Sequence, residues 1–259
     1  MDIKNLFNDN EKPLDNIPAN GGFCGIFRKI ACVGDSMSSG EFEAINDNGE
    51  KTYHDMFEYS WGQFFARMTG TTVYNFSRGG MTAKEYCESF AEQNDFWNED
   101  KKCTAYIIAL GVNDICNQKM PVGTVDDVDF ENCENNKPTF AGYYAKIIQK
   151  YKKIQPDAKF FLMTIPNDSV WGEKRFAHTE LLYELTELFS NCYVLDIGKY
   201  GPVFDEDFKK KFFLGGHMNP CGYNLIGQMV MSYIDYIIRH NMDDFKQVGF
   251  IGTEYQYKE

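Results

Sequence analysis

The sequence predicts an α/β protein, a parallel sheet of about five strands with helices on both faces, and two observations carry that reading. Short apolar runs alternate with longer amphipathic segments five times along the chain. The central run, TAYIIALGV (Thr104 to Val112), is almost wholly apolar, as a parallel strand covered on both faces must be.

The first strand is KIACVGD (Lys29 to Asp35), which ends in a loop of small residues. In SWGQFFARMTG, Trp61, Phe64, Phe65 and Met68 fall at helical spacing and Gly70 supplies a stop. TVYNF (Thr72 to Phe76) reads as the second strand and MTAKEYCESFAEQ as the helix after it. Beyond Thr104 to Val112, helix AGYYAKIIQKYKKIQP leads past Pro156 into strand AKFFLMTIP. Helix RFAHTELLYELTELF and strand CYVLDI follow. In the last helix, NPCGYNLIGQMVMSYIDYIIRH, Asn219 suits the cap and Pro220 the first turn. No repeat, low-complexity tract or linker interrupts the pattern. One domain over residues 1–259 is expected, with 1–27 as an N-terminal extension and 241–259 as a tail.

Charge excludes several functions. Thirty-eight acidic against 26 basic residues give a net charge of −12, which disfavours binding to nucleic acid or to an anionic membrane surface. No apolar run approaches the ~18–20 residues of a membrane span, and MDIKNLFNDNEKPLDN lacks the apolar centre of a secretory signal. The eight cysteines are scattered without a Cys-x-x-Cys pair, so free thiols in a reducing cytoplasm are expected, with no structural zinc. Oligomeric state is not readable.

Two long stretches fall outside the alternation, Gly40 to Tyr59 and Asn113 to Phe140. Both leave the carboxyl ends of predicted strands, the edge at which open α/β sheets bind ligands. The second carries Asp126, Asp127, Asp129, Glu131 and Glu134, charges that suit a ligand and a solvated face equally.

Four short motifs lie at strand ends. They are Gly34-Asp35-Ser36, Asn75-Phe-Ser-Arg-Gly-Gly80, Gly111-Val-Asn113-Asp114 and Gly215-Gly-His217-Met-Asn-Pro220. Singly, each reads as turn chemistry: Gly79-Gly80 as turn glycines, Asn113 as a local cap. Together and in this order they resemble the SGNH (GDSL-type) hydrolases, over about Lys29 to His240. The resemblance implies a three-layer αβα, flavodoxin-like fold and an acyl-serine esterase. It implies Ser36 as nucleophile and oxyanion donor, Gly80 and Asn113 as further donors, and His217 as general base and then acid. Of the other histidines, His178 lies within a helix, His240 ends one, and His54 has no motif around it.

The chemistry stands on its own. A serine hydroxyl needs a base to become nucleophilic. Fixed N–H donors stabilise the charge that develops on the ester carbonyl oxygen, each worth ~3 kcal/mol of barrier. No metal or organic cofactor is required.

One departure from the family stands out. Its Asp-x-x-His block places an acid three residues before the histidine, where this chain has Leu214. Three alternatives follow: a backbone carbonyl at Leu214 orients the imidazole, an acid such as Asp205, Asp207 or Asp196 substitutes, or the protein only binds. The family's substrates include acetylated sugars, thioesters, lysophospholipids and small aryl esters, and the acidic loop favours neutral ones such as acetylated carbohydrate. Transfer of the acyl group to an alcohol is the competing reaction.

Overall fold

Nine strands occur among the described residues of the computed structural model, which are 3–258. Met1, Asp2 and Glu259, at the ends of the extension and the tail, lie outside them. The strands are β1 (Lys29–Gly34), β2 (Glu41–Ile45), β3 (Lys51–Asp55), β4 (Thr72–Ser77), β5 (Ala105–Ala109), β6 (Lys159–Met163), β7 (Cys192–Leu195), β8 (Phe213–Leu214) and β9 (His217–Met218). The helices are α1 (Ser36–Ser39), α2 (Trp61–Thr69), α3 (Ala83–Glu85), α4 (Ala91–Gln93), α5 (Phe140–Ile154), α6 (Lys174–Leu188), α7 (Ile197–Tyr200), α8 (Glu206–Phe212), α9 (Pro220–His240) and α10 (Met242–Phe245).

The central sheet has five parallel strands in the order β4-β1-β5-β6-β7. Numbered among themselves these strands run 2-1-3-4-5, so the chain changes direction of travel between β1 and β5. Loops leaving the carboxyl ends of those two strands diverge and open a crevice there.

Burial on both faces explains the unbroken apolar strands. Ala31 and Val33 of β1 point into one core with Tyr106, Ile108, Phe160 and Leu162, under α5 and α6. Ile30 and Cys32 point into the other with Ala105, Ile107, Phe161 and Met163, under α2 and α9. Local signals set the helix ends. The Ser60 hydroxyl accepts the Gln63 N–H at 3.3 Å to start α2, and Gly70, at φ 72°, ends it. Asn219 accepts the Gly222 N–H at 3.0 Å with Pro220 in the first turn, so α9 is anchored immediately after His217 and Met218.

The structure departs from the expected element pattern in three places. Gly40 to Tyr59 holds an antiparallel hairpin, β2–β3, in place of a loop. The segment expected as one helix after β4 is broken by a π turn at Tyr86–Phe90 between α3 and α4. Residues 113–140 are closed by their own acids. Asp127 takes Lys137 and Thr139, Asp129 takes the Glu131 and Asn132 N–H groups, and Glu134 takes Lys146. Asp126 and Glu131 lie exposed.

The chain ends pack onto α9 and its core. Phe245, Val248 and Ile251 are buried with Phe27. Asp235 of α9 accepts the Phe23 N–H at 2.7 Å and the Arg239 Nε–H at 2.8 Å, and Arg239 reaches Glu11 at 2.6 and 2.9 Å. Gly22 must lack a side chain, because a Cβ there would lie 2.2 Å from Asp235 Oδ1. Asp235→Ala strips a buried guanidinium of one carboxylate and leaves an N–H unpaired. It is expected to cost ~3 kcal/mol in urea unfolding, and a loss under ~1 kcal/mol would contradict this account of the N-terminal segment.

Candidate active site

The turn after β1 is built around the Gly-Asp-Ser residues. A Cβ on Gly34 would lie 2.2 Å from Ser38 Oγ, so glycine lets the first turn of α1 fold back onto the strand. Asp35 caps that helix, Oδ1 accepting the Met37 N–H at 3.1 Å, which places Ser36 at its first position beyond the sheet edge. Ser36 is half-buried. Gly40 ends α1 at φ 76°, its missing Cβ leaving room for Met56 O and Ser60. Helix α1 packs against β4 and β9.

Asn113 sits in a π turn, Val112–Asn117, that leaves β5 through Gly111 at φ 137°. Its Nδ2 donates to Met81 O at 3.1 Å and to Asp35 Oδ2 at 3.4 Å, and its Oδ1 accepts from Asn117 at 2.8 Å. The next residue, Asp114, is buried and accepts the Ala83 N–H at 2.9 and 3.1 Å. That bond ties the Asn113 turn to the loop carrying Gly80, itself at φ 72°. Burial pushes Asp35 up to about 7 and Asp114 up to about 6; at Asp35 the Met37 N–H opposes, and the charges of Asp114 and Glu41 add.

His217 lies on the β8–β9 hairpin, opposite Leu214, with Gly215 and Gly216 at the tip. Its Nε2 is 3.0 Å from Glu41 Oε1, with the two side chains 16% and 13% exposed. Its Nδ1 is buried and has no hydrogen-bond partner among the described residues. The Tyr53 ring meets the imidazole edge-on at 5.8 Å. Glu43 accepts the Gly216 N–H at 2.9 Å and pairs with Lys51 at 2.6 Å. Burial lowers the His217 pKa; Glu43 and Asp55 pull it up, and Lys51 pushes it down. Burial raises Glu41, with Asp55 adding to the effect.

The four motifs therefore converge on one edge. Asn113 reaches Asp35, the neighbour of Ser36, while His217 reaches Glu41, whose carboxylate lies over Gly79, the neighbour of Gly80.

The acids expected to help His217 are engaged elsewhere. Asp196 takes Thr164 at 3.1 Å and Tyr183 at 3.0 Å and caps α7; Asp205 caps α8; exposed Asp207 lies 3.7 Å from Lys210. No hydrogen bond joins the imidazole to the Leu214 carbonyl, since Nδ1 is unpaired and Nε2 faces Glu41. Glu41 was not singled out in the sequence. The available signal was Asn48-Gly49, a hairpin turn pair flanked by alternating residues, which puts Glu41 and Glu43 on one face.

The remaining histidines lie apart. His178 is fully buried against Leu110 O at 3.0 Å, His240 stacks on Tyr236, and His54 bonds Thr52.

A mostly apolar cavity of about 70 Å³ adjoins the turn, lined by Asp35, Met37, Trp61, Leu110, Met163 and Met218 among others. A larger cavity of about 390 Å³, beside Asp157, Lys159 and Tyr255, lies at the opposite edge of the sheet, where the strands begin. No helix among the described residues is long and apolar enough to cross a membrane.

Comparison with known proteins identifies the family and the fold. The model of the GDSL-like lipase/acylhydrolase family matches residues 30–230, and the chain belongs to that family of carboxylic ester hydrolases. Solved structures share its fold. A family two carbohydrate esterase from Clostridium thermocellum, in complex with cellohexaose, is 16% identical with a TM-score of 0.55, over 88% of this chain and 66% of that one. The lipase/acylhydrolase from Enterococcus faecalis is 17% identical at a TM-score of 0.52, over 81% and 96%. The psychrotrophic esterase EstA from Pseudoalteromonas sp. is 16% identical at 0.51, over 82% and 98%. No curated protein sequence matches the chain.

The carboxyl of Asp35 gives a test of the site's electrostatics. Its pKa rises from 3.8 to about 7 on folding, so the native state binds more protons and its contribution to stability falls as pH rises through that window. Asp35→Asn keeps the cap and removes the titration. Its unfolding free energy relative to wild type should improve between pH 4 and pH 8, and a constant difference would refute a buried, titrating Asp35.

Proposed function

We propose that the protein is a serine esterase acting on short acyl esters of neutral alcohols, acetylated carbohydrate foremost, through an acyl-Ser36 intermediate. The reading is supported by the meeting of the four motifs at one sheet edge, where Asn113 bonds Asp35 beside Ser36 and the His217 strand packs against the Ser36 helix. His217 takes the Ser36 hydroxyl proton as Oγ attacks the ester carbonyl carbon, and the carbonyl π electrons move onto oxygen. The Ser36 and Gly80 backbone N–H groups and the Asn113 amide stabilise that oxyanion. The C–O bond to the alcohol breaks, and imidazolium gives its proton to the departing alkoxide. Water then repeats the sequence on the acyl-enzyme, returning the proton to Ser36 Oγ and releasing the acid.

Two features support the substrate class. The cavity flanked by Asp35 and Met37 is small, about 70 Å³, and mostly apolar, which suits an acetyl group. Glu41, Glu43 and Asp55 surround the imidazole with Lys51 as their cation, an environment that repels anionic substrates. The carbohydrate esterase among the structural neighbours fits the same class.

Ser36→Ala should lower p-nitrophenyl acetate turnover by ~10³-fold or more and abolish labelling by a fluorophosphonate probe; undiminished turnover would overturn the assignment. p-Nitrophenyl acetate should exceed the octanoate in kcat/KM by ~10-fold or more, each methylene that the small cavity does not accommodate costing ~1 kcal/mol or more; equal values would refute the short acyl pocket. Since the neutral imidazole is the base and burial lowers its pKa, kcat/KM should fall on acidification with a midpoint below 6.5. A rate flat down to pH 5, with the fold intact, would remove His217 from that role.

A further inference from the structure

We propose that Glu41, on the hairpin that follows the nucleophile turn, is the positioning carboxylate for His217, filling the role of the acid absent at Leu214. The inference rests on the serine-esterase reading above and assigns the one part that reading leaves without an owner.

The contact is direct and sheltered. Glu41 Oε1 lies 3.0 Å from His217 Nε2, and both side chains are largely buried. Leu214, by contrast, is 54% exposed. The backbone of Glu41 is held from several sides. Gly40 caps α1 and its carbonyl accepts the Met56 N–H at 3.0 Å, Tyr223 Oη donates to Glu41 O at 2.6 Å, and β3 pairs Asp55 opposite Glu41.

Space for the carboxylate comes from Gly79. A Cβ at that position would lie 1.9 Å from Glu41 Oε2, so the carboxylate keeps this place only beside a glycine and would have to shift from any larger residue. The neighbouring carboxylates are already committed: Glu43 to the Gly216 N–H and Lys51, Asp55 to the Ser39 hydroxyl. Glu41 is the acid left for the imidazole.

The hydrogen-bond pattern also assigns the tautomer. With Nε2–H donating to Glu41, the lone pair sits on Nδ1, the buried nitrogen with no partner, on a strand against which the Ser36 helix packs. Nδ1 is then the nitrogen left free to take a proton, and Glu41 stabilises the imidazolium that results. Residues 36 to 41 thus carry both the nucleophile and the support for its base, while the histidine arrives from the far end of the chain.

The experiment is the kinetics of Glu41→Gln on p-nitrophenyl acetate, with pH profiles and thermal unfolding measured alongside. The expected result is a fall in kcat of ~10²-fold or more with KM changed little. Loss of the negative charge should also move the acid limb of kcat/KM to lower pH, because imidazolium loses its stabilising partner; Glu43, Asp55, Lys51, Tyr53 and Asp35, the other titratable groups around the site, are unchanged in the variant. A residue with a purely structural role would lower stability without moving that limb. Gly79→Ala provides a second variant that displaces the carboxylate without removing it, and it should move the acid limb the same way. Unchanged kcat and limb would overturn the proposal, as would a rise in kcat, which would mean that the carboxylate obstructs the cleft. A wild-type protein that neither turns over ester nor labels at Ser36 would instead overturn the esterase reading. An active wild type with an indifferent Glu41→Gln would overturn this inference alone.

Discussion

A parallel sheet buried on both faces leaves the molecule one place for polar chemistry, the edge where its strands end. Alternate residues of β1 from Ile30 to Val33 feed two separate cores, so none of these side chains is free to meet a substrate. The reversal of chain direction between β1 and β5 then separates two loops at that edge, and each carries a candidate site residue at its first turn. The locations of Ser36 and Asn113 follow from the topology, and the remaining motifs are drawn in by contacts that cross between loops. Asp114 to Ala83 is the clearest such contact, a buried carboxylate holding two loops that come from different strands.

Electrostatics at this edge is dominated by carboxyl groups with few cations. Asp35 and Asp114 are held high by burial, and the Glu41–Asp55 pair places like charges directly across a hairpin. The arrangement is tolerated because each acid has specific donors: the Met37 N–H for Asp35, the Ala83 N–H for Asp114, the Ser39 hydroxyl for Asp55. The same concentration of acids is what keeps a buried imidazole from losing its proton affinity altogether, since Glu43 and Asp55 oppose the effect of burial.

Much of this was legible in the sequence, for physical reasons. Strands covered on both faces leave an unmistakable apolar run, and the Ser60, Gly70, Asn219 and Pro220 signals mark helix ends through local bonds that need no tertiary context. The Gly-Asp-Ser turn, a common tripeptide alone, was readable because three further motifs follow it in order at other strand ends. The β2–β3 hairpin was not read: β2 alternates only briefly, through Glu41-Phe42-Glu43-Ala44, and β3, Lys51–Asp55, is polar on both faces apart from Tyr53. The carboxylate on His217 was missed for the same reason: it comes from 176 positions upstream, and spacing cannot reveal a contact that only the closed fold creates. Asp196 and Asp205 were near in sequence and capped their own helices instead, while Asp207, inside α8, faces Lys210.

His178, packed beneath Leu110 and Gly111, has a consequence of its own. Burial holds its pKa near 4, so folding favours the neutral ring, and that stabilisation is full above 6.5 and drains away as pH falls towards 4. Asp35 and Asp114, on the other side of the same turn, behave in the reverse sense and weaken the fold as pH climbs. The turn that carries Asn113 thus has an acid-intolerant base and alkali-intolerant acids as neighbours, so the stability it draws from them is bounded on both sides of the pH scale.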